Sequence, residues 1–130
     1  GNARGAMEEA INYASERNAF NKPIIRHQAI SFMIADMATK IEAARMLVWK
    51  AALKADSGKR NTLDAAHAKR FSADMAMEIT TDAVQIFGGY GYSEEYPVAR
   101  RMRGAKVVQI FEGSSQIQRL IISREMLQDI

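Results

Sequence analysis

Cysteine is absent from this 130-residue chain, which excludes disulfide bonds, thiolate catalysis and a cysteine zinc site. Histidine is scarce as well. His27 and His67 are far apart in the sequence and have no carboxylate pair at ligand spacing nearby, so we predict no metal site. Proline occurs only twice, while Ala, Met and Leu are plentiful, and this composition favours helix.

Long apolar runs are also missing. The apolar stretches are short and interrupted by charged residues, so we predict no membrane span. Hydrophobic residues make up 48% of the chain, which is enough for one domain with a real core. The net charge of +3 comes from basic and acidic residues that are mixed along the chain, as on a solvated helical surface. A phosphate-rich cofactor or substrate fits this balance, and we predict no nucleic-acid partner.

The first residues show no signal or transit peptide. Residues 1–5 resemble the entry into a helix that is already under way. We therefore expect the chain to be part of a longer protein, in which a targeting segment would lie upstream.

The spacing of apolar residues predicts an all-α protein. Five helices separated by short connections are expected at residues 2 to about 18, 27 to about 56, 62 to about 87, 97 to about 109, and from about 115 onward. Long helices joined by short loops favour an antiparallel up-and-down four-helix bundle with a short extra helix, formed as a single domain.

Each long helix has a row of apolar residues that we expect to be buried. In the second helix the row is Ile30, Ile34, Met37, Ile41, Ala44, Val48 and Ala51. In the third helix it is Ala68, Phe71, Met75, Ile79, Ala83 and Ile86. In the last helix we expect Ile117, Leu120 and Ile121 to point inward, and Ser115 with Gln118 to form a capping box.

One carboxylate, Glu112, lies between two apolar residues and a glycine. An apolar flank raises the proton affinity of a carboxylate, which suits a general base. Gly113 removes side-chain bulk where a ligand must approach the backbone. Ser114 and Ser115 are able to cap the next helix, whose free N–H groups form a site for phosphate. Taken alone, the same pattern also fits a surface glutamate before a capped helix.

Three longer motifs surround this residue: ERNAF at 16–20, followed by a His-Gln pair at 27–28; AVQIFGGYG at 83–91; and IFEGSSQIQRL at 110–120. Together they resemble the acyl-CoA dehydrogenases, in the order in which that family has them and over the whole length of the chain. Residues 95–98 and 116–118 resemble the medium-chain subgroup most.

The resemblance implies that the chain is the C-terminal helical domain of such an enzyme, and that an N-terminal helical domain and a middle β-domain precede it. It implies FAD as cofactor, an acyl-CoA thioester as substrate and α,β-dehydrogenation within fatty-acid β-oxidation as the reaction. Electron-transfer flavoprotein would accept the electrons, and the family assembles as a homotetramer, a dimer of dimers. The location would be the mitochondrial matrix in a eukaryote and the cytoplasm in a bacterium.

The resemblance also assigns roles to individual residues. Glu112 would remove the α-proton, and its backbone N–H would donate to the thioester carbonyl. Substrate contacts would involve Glu112 and Gly113, with Arg60 and Thr62 near the CoA nucleotide. The residues matching FAD contacts are Arg17, Asn18, Ala19, His27, Gln28, Gln85, Ile86, Phe87, Gly88, Gly89, Gly113, Ser114, Ser115 and Gln116.

The chain departs from the family pattern in several places. Ser114 replaces the commoner Thr, while Asn18 and Ala19 stand where Lys and Thr are frequent. Gly104 occupies a position where Asp is usual. Two other functions remain open at this point: a non-catalytic helical module for oligomerisation or interaction, and a domain of an acyl-CoA oxidase-like flavoenzyme that reacts with oxygen.

Overall fold

The computed structural model describes residues 1–127 and confirms the all-α prediction. Its helices are α1 (Asn2–Glu16), α2 (Gln28–Asp56), α3 (Thr62–Phe87), α4 (Gly89–Tyr92), α5 (Pro97–Val108) and α6 (Ser115–Met126). Between α1 and α2 the chain forms a small antiparallel hairpin, β1 (Asn18–Ala19) and β2 (Lys22–Pro23), followed by a 3-10 turn at Ile24–Arg26. None of the helices within residues 1–127 is long and apolar enough to cross a bilayer.

Helix α3 lies at the centre and packs against α1, α2, α5 and α6. Small side chains allow this close packing: α1 contributes four buried alanines, Ala3, Ala6, Ala10 and Ala14. They recur every three or four residues and therefore share one side of the helix.

The predicted apolar rows are largely correct. In α3 every member of the row is buried except Phe71, which is half-buried against the core. In α2 three members of the row are buried, three are half-buried against the core, and Val48 is 46% exposed; the half-buried ones are Ile30, Ile34 and Ile41. Val48 was predicted wrongly because α2 packs chiefly on α3, which covers only part of its circumference.

The first helix ends earlier than predicted, at Glu16. Arg17 takes an extended conformation, and its carbonyl accepts a hydrogen bond from the Ile24 N–H at 2.8 Å. Phe20 and Asn21 have φ angles of +53° and +64°, which reverse the chain between β1 and β2. The two short strands that this turn joins were not predicted.

The orientation of α6 was predicted wrongly at its start. Of the three residues expected to point inward, Ile117 and Leu120 are 48% and 65% exposed and Ile121 is half-buried, whereas Ser115 and Gln118 are buried. The expected capping box does not form either, because the N-cap is Ser114, whose hydroxyl accepts from the Ile117 N–H. Helix α6 turns its polar side toward α3 because a carboxylate there binds its side chains.

Candidate functional site

Glu112 lies in a tight turn between α5 and α6, which we call the Glu112 turn (residues 110–114). Glu112 and Gly113 have φ angles of +51° and +87°, so two consecutive residues occupy the left-handed region. The turn closes with the Ser115 N–H donating to the Gln109 carbonyl at 3.0 Å. This backbone directs the chain from α5 straight into α6 and leaves Glu112 exposed.

Gly113 is required by its surroundings as well as by its φ angle. A Cβ at this position would lie 2.4 Å from Nε2 of Gln118. The same Gln118 amide donates to the Gly113 carbonyl at 3.1 Å, which attaches the Glu112 turn to the first helical turn of α6. The space that the missing side chain of Gly113 leaves is therefore occupied by the Gln118 amide, and the approach of a ligand at this point stays a prediction.

The first residues of α6 line a polar cavity of about 340 Å³. Ser114, Ser115 and Gln116 contribute to it together with the cationic side chains of Lys106 and Arg119. The Ser115 and Ile117 N–H groups at the start of α6 already donate to the Gln109 carbonyl and the Ser114 hydroxyl. The Asp74 carboxylate also lines this cavity and offsets part of the positive charge, so the cavity suits a polar ligand of mixed character. The Ser115 hydroxyl does not donate into the cavity, because it donates to this carboxylate of α3.

Sequence reasoning missed that carboxylate, which belongs to Asp74. It accepts from Gln109 Nε2 at 2.9 Å and from the Ser115 hydroxyl at 2.7 Å, and Arg119 lies 3.1 Å away. Burial raises the pKa of Asp74, but the hydrogen bonds from Ser115 and Gln109 and the charges of Arg119 and Arg70 outweigh it, so the pKa lies below its ordinary value. In the sequence Asp74 is a single acidic residue beside the buried row of α3, which does not distinguish it from an ordinary surface carboxylate.

A second group of predicted residues meets where α3 ends. Arg17, Ile86, Phe87, Gly88 and Gly89 line one cavity of about 520 Å³. Three aromatic or aliphatic side chains complete it: Tyr13, Ile24 and Tyr90. The Arg17 guanidinium lies 5.9 Å from the centre of the Tyr90 ring, a cation–π geometry. Gly88 has a φ angle of +62°, which ends α3 and exposes the backbone to the cavity.

The remaining predicted residues of this end lie around that cavity. The His27 ring nitrogen Nε2 is 3.1 Å from the Ala19 carbonyl, so His27 fastens the hairpin to the start of α2. Asn18 belongs to β1 and Gln28 is the first residue of α2. Gln85 is exposed on the last turn of α3 and does not line the cavity.

The two residues predicted for CoA lie at the opposite end of α3. Thr62 is its first residue, and Arg60 just before it forms an ion pair with Glu125 at 2.6 Å. At 1.5 Å per helical residue, Asp74 lies roughly 20 Å from either end of α3. The structure therefore groups the predicted residues into three places along α3 and does not bring them into one pocket.

Comparison with known proteins identifies the family to which the chain belongs. The sequence profile of the family described as "Acyl-CoA dehydrogenase, C-terminal domain" matches residues 1–127. The chain belongs to this family. Within residues 1–127, no group of three or more His, Asp or Glu side chains is placed to hold a metal ion.

Similar curated proteins come from bacteria. The chain is 54% identical over 129 residues to cyclohexane-1-carbonyl-CoA dehydrogenase of Geobacter metallireducens, covering 99% of this chain and 34% of that protein. It is 54% identical to the short-chain-specific acyl-CoA dehydrogenase of Megasphaera elsdenii, covering 98% of this chain and 33% of that protein. The chain thus spans about a third of the length of these relatives.

Solved structures share the fold closely. Butyryl-CoA dehydrogenase of Megasphaera elsdenii matches 97% of this acyl-CoA dehydrogenase domain and 33% of its own chain, with a TM-score of 0.95 and 54% identity. A chain from work on the electron transferring flavoprotein of Acidaminococcus fermentans matches 98% of the domain and 34% of its own chain, with a TM-score of 0.97 and 54% identity. The FAD complex of PigA matches 95% of the domain and 32% of its own chain, with a TM-score of 0.91 and 31% identity.

Proposed function

We propose that this domain supplies the catalytic base and part of the cofactor site of an FAD-dependent acyl-CoA dehydrogenase. Membership of the family and the geometry of the Glu112 turn support this proposal. In the complete enzyme an N-terminal helical domain and a middle β-domain precede this chain. They supply the other walls of the site, because Glu112 is exposed here and its apolar neighbours Ile110 and Phe111 are 63% and 44% exposed.

Glu112 removes the α-proton of the acyl-CoA thioester. A substrate placed over the exposed turn would exclude water from the carboxylate and strengthen it as a base. The left-handed conformation of Glu112 and Gly113 presents the backbone as well as the side chain on the outside of the turn. The Glu112 N–H then donates to the thioester carbonyl, where negative charge develops as the proton leaves.

The residues present fit FAD at two places. The start of α6 presents Ser114 and Gln116 beside cations and the Asp74 carboxylate, and this mixed polar lining suits a polar ring with both donors and acceptors. The cavity beside Arg17 has a cation, an aromatic surface and the exposed Gly88–Gly89 backbone, which suit a nucleotide phosphate and its base. FAD, when bound, accepts the β-hydrogen of the substrate as hydride.

The distance between these two places favours an assembly in which different copies of the chain share a cofactor. The Arg17 cavity and the Glu112 turn are separated by about half the length of α3, roughly 20 Å. Large apolar side chains are exposed on α2 and α6, among them Phe32, Trp49, Leu53 and Leu120. We propose that these side chains are covered in a homotetramer, a dimer of dimers.

The substrate and the electron acceptor are proposed from the relatives. Electron-transfer flavoprotein is the proposed acceptor, in line with the source of the Acidaminococcus structure. The two relatives described above are named for short-chain and cyclohexane-1-carbonyl substrates, so they do not support the medium-chain prediction from residues 95–98 and 116–118. We therefore propose an acyl-CoA of small size and, because these relatives are bacterial, a cytoplasmic location.

A hybrid enzyme tests the proposal. This chain replaces the C-terminal domain of the Megasphaera butyryl-CoA dehydrogenase, and butyryl-CoA-dependent bleaching of the flavin is followed. We expect Glu112→Gln to slow bleaching about 10²–10⁴-fold, the usual contribution of a general base, while FAD stays bound. The matched control is Glu95→Gln, an exposed glutamate outside the site, which should bleach at the normal rate. Normal bleaching by the Glu112→Gln hybrid contradicts the proposal.

The isolated 130-residue chain provides a second check. We expect it to show little or no turnover, because the other walls of the site are missing. A purified chain that is yellow and reduces an acceptor with an acyl-CoA would contradict that expectation.

A further inference from the structure

Asp74 connects α3 to both sides of the Glu112 turn. Gln109, which donates to Oδ1 of Asp74 at 2.9 Å, lies three residues before Glu112. Ser115, which donates to the same oxygen at 2.7 Å, lies three residues after it. Arg119, one helical turn further along α6, donates to Oδ2 of Asp74 at 3.1 Å. One carboxylate therefore fixes the spacing between the end of α5 and the start of α6.

Lys69 provides a second attachment of the turn to α3. Its Nζ donates to the Val108 carbonyl at 2.6 Å and lies 4.7 Å from the centre of the Phe111 ring. Lys69 and Asp74 are five residues apart on α3. Lys69 contacts Val108 and Phe111, which precede Glu112, whereas Asp74 binds residues on both sides of it. Both attachments of the turn therefore come from α3.

The Glu112 conformation needs such support. A non-glycine residue at a φ of +51° is disfavoured and persists only when its surroundings determine it. Apolar packing contributes little at the start of α6, because Ile117 and Leu120 lie toward the outside while Ser115 and Gln118 are buried. Two α6 side chains, Ser115 and Arg119, instead attach this end of the helix to Asp74 on α3.

We propose that Asp74 is a positioning residue for the catalytic base, acting through Gln109 and Ser115 to hold Glu112 in its left-handed conformation. This inference rests on the proposed function of Glu112. Asp74 itself does not touch the reacting atoms. Its loss leaves Glu112 intact as a carboxylate but releases the backbone that aims it at the substrate.

The first test uses amide hydrogen exchange on the 130-residue chain. In Asp74→Ala we expect the Ser115 N–H to exchange about 10–100-fold faster, because the contacts that close the turn are lost. The Ile79 N–H in the core of α3 should be unchanged. The matched control is Asp82→Asn, another carboxylate of α3, which faces Lys40, Glu78 and Asp36. Equal acceleration at Ser115 and Ile79 shows general destabilisation and overturns the proposal, as does unchanged exchange at Ser115.

The second test measures turnover in the hybrid enzyme. A base displaced by about 1 Å costs on the order of 10²-fold, so we expect kcat to fall about 10–100-fold in Asp74→Ala while KM stays within about twofold. Asp74→Asn should fall between wild type and Ala, since its amide oxygen still accepts from Gln109 and Ser115. An unchanged kcat in Asp74→Ala, or an equal change in KM, overturns the proposal.

The two proposals fail in different ways. If Glu112→Gln leaves turnover normal, Glu112 is not the base and the proposed function fails. If Glu112→Gln abolishes turnover and Asp74→Ala does not reduce it, only the positioning role fails. The exchange measurement decides whether Asp74 holds the turn even if the hybrid is inactive.

Discussion

The two cavities along α3 are stabilised by different kinds of contact. At the end of α3, the rings of Tyr13 and Phe87 stack with centroids 4.2 Å apart, and Tyr96 meets the Phe87 ring at 5.6 Å. We call Tyr13, Phe87, Tyr90 and Tyr96 the aromatic cluster. At the Glu112 turn the contacts are hydrogen bonds and ion pairs to Asp74 and Lys69, and the apolar residues Ile110 and Phe111 face outward.

This difference indicates which of the two regions is packed more fully within the domain. In the aromatic cluster Phe87 is only 6% exposed, although Tyr90, which lines the cavity beside Arg17, is 51% exposed. The Glu112 turn is fixed in shape but leaves Glu112, Ile110 and Phe111 exposed. We infer that the cavity beside Arg17 has a partly packed wall, whereas the Glu112 turn would have to be enclosed by other parts of a complete enzyme.

Removing the centre of the aromatic cluster should have the largest effect on stability. Phe87→Ala leaves a cavity beside Tyr13 and Tyr96, and we expect the free energy of unfolding to fall by about 3–5 kcal/mol. Urea denaturation of the 130-residue chain measures this change. The matched control is Phe20→Ala: Phe20 is 90% exposed, so its change should stay within about 0.5 kcal/mol. A loss at Phe87 no greater than at Phe20 would show that the cluster does not stabilise the domain.

A glycine-to-alanine substitution is available both in the aromatic cluster region and in the Glu112 turn, so the two regions are compared directly. A Cβ on Gly91 would lie 2.7 Å from both the Val84 carbonyl oxygen and Cβ of Phe87, which packing holds in place. We expect Gly91→Ala to lower the free energy of unfolding by about 1–3 kcal/mol. Gly89→Ala is the control, since nothing lies within 4 Å of a Cβ there and its φ is not positive.

Gly113→Ala should cost less, because its Cβ would meet only the mobile end of Gln118. We expect about 1–2 kcal/mol, chiefly from the left-handed conformation. Adding Gln118→Ala removes the clash, so the double variant should lose less stability than the sum of the single variants. We infer that the neighbours of Gly91 are fixed by packing, whereas the Gln118 side chain beside Gly113 is able to move. Strictly additive losses in the double variant, or a larger loss for Gly113→Ala than for Gly91→Ala, would contradict this difference.

A smaller effect is expected from the ion pairs where α2 meets α3. The Lys54 and Lys50 ammonium groups, 2.5 and 2.9 Å from the Asp64 carboxylate, lower the pKa of Asp64 from 3.8 to about 2. The unfolded chain therefore binds this proton at higher pH than the folded chain does. This contribution to stability is present above about pH 4 and is lost as the pH falls to about 2.

The pH dependence of denaturation tests this contribution. Between pH 4 and 2 the wild-type chain should lose stability more steeply than Asp64→Asn, and 1 M salt should reduce the difference because Lys50 is exposed. The control Asp56→Asn, an exposed carboxylate at the end of α2, should keep the wild-type slope. Identical slopes for wild type and Asp64→Asn would exclude the role of Asp64.

The sequence predicted the parts of the fold that follow from apolar spacing and turn residues. The buried row of α3 and the end of this helix at Phe87 are present as expected. The orientation of α6 could not be predicted in this way. Ile117 and Leu120 face outward, and the buried Ser115 binds a polar partner on α3 that is 41 residues away in the sequence.

The candidate site was likewise predicted only in part. The sequence pointed to Glu112 and Gly113, and the structure adds the positive φ angles that place them at the apex of a turn. Asp74 and Lys69 gave no usable signal, because an acidic and a basic residue on a long helix are ordinary surface residues until their partners are known. The roles assigned to the site residues stay predictions that the variants above are designed to test.

The way in which α6 is attached has a consequence for folding. The apolar core joins α1, α2, α3 and α5, whereas α6 docks on α3 through buried polar groups. A segment attached in this way is expected to open at lower free energy than the core. We therefore expect the helix that follows Glu112 to be the last to consolidate during folding and the first to open in the native state.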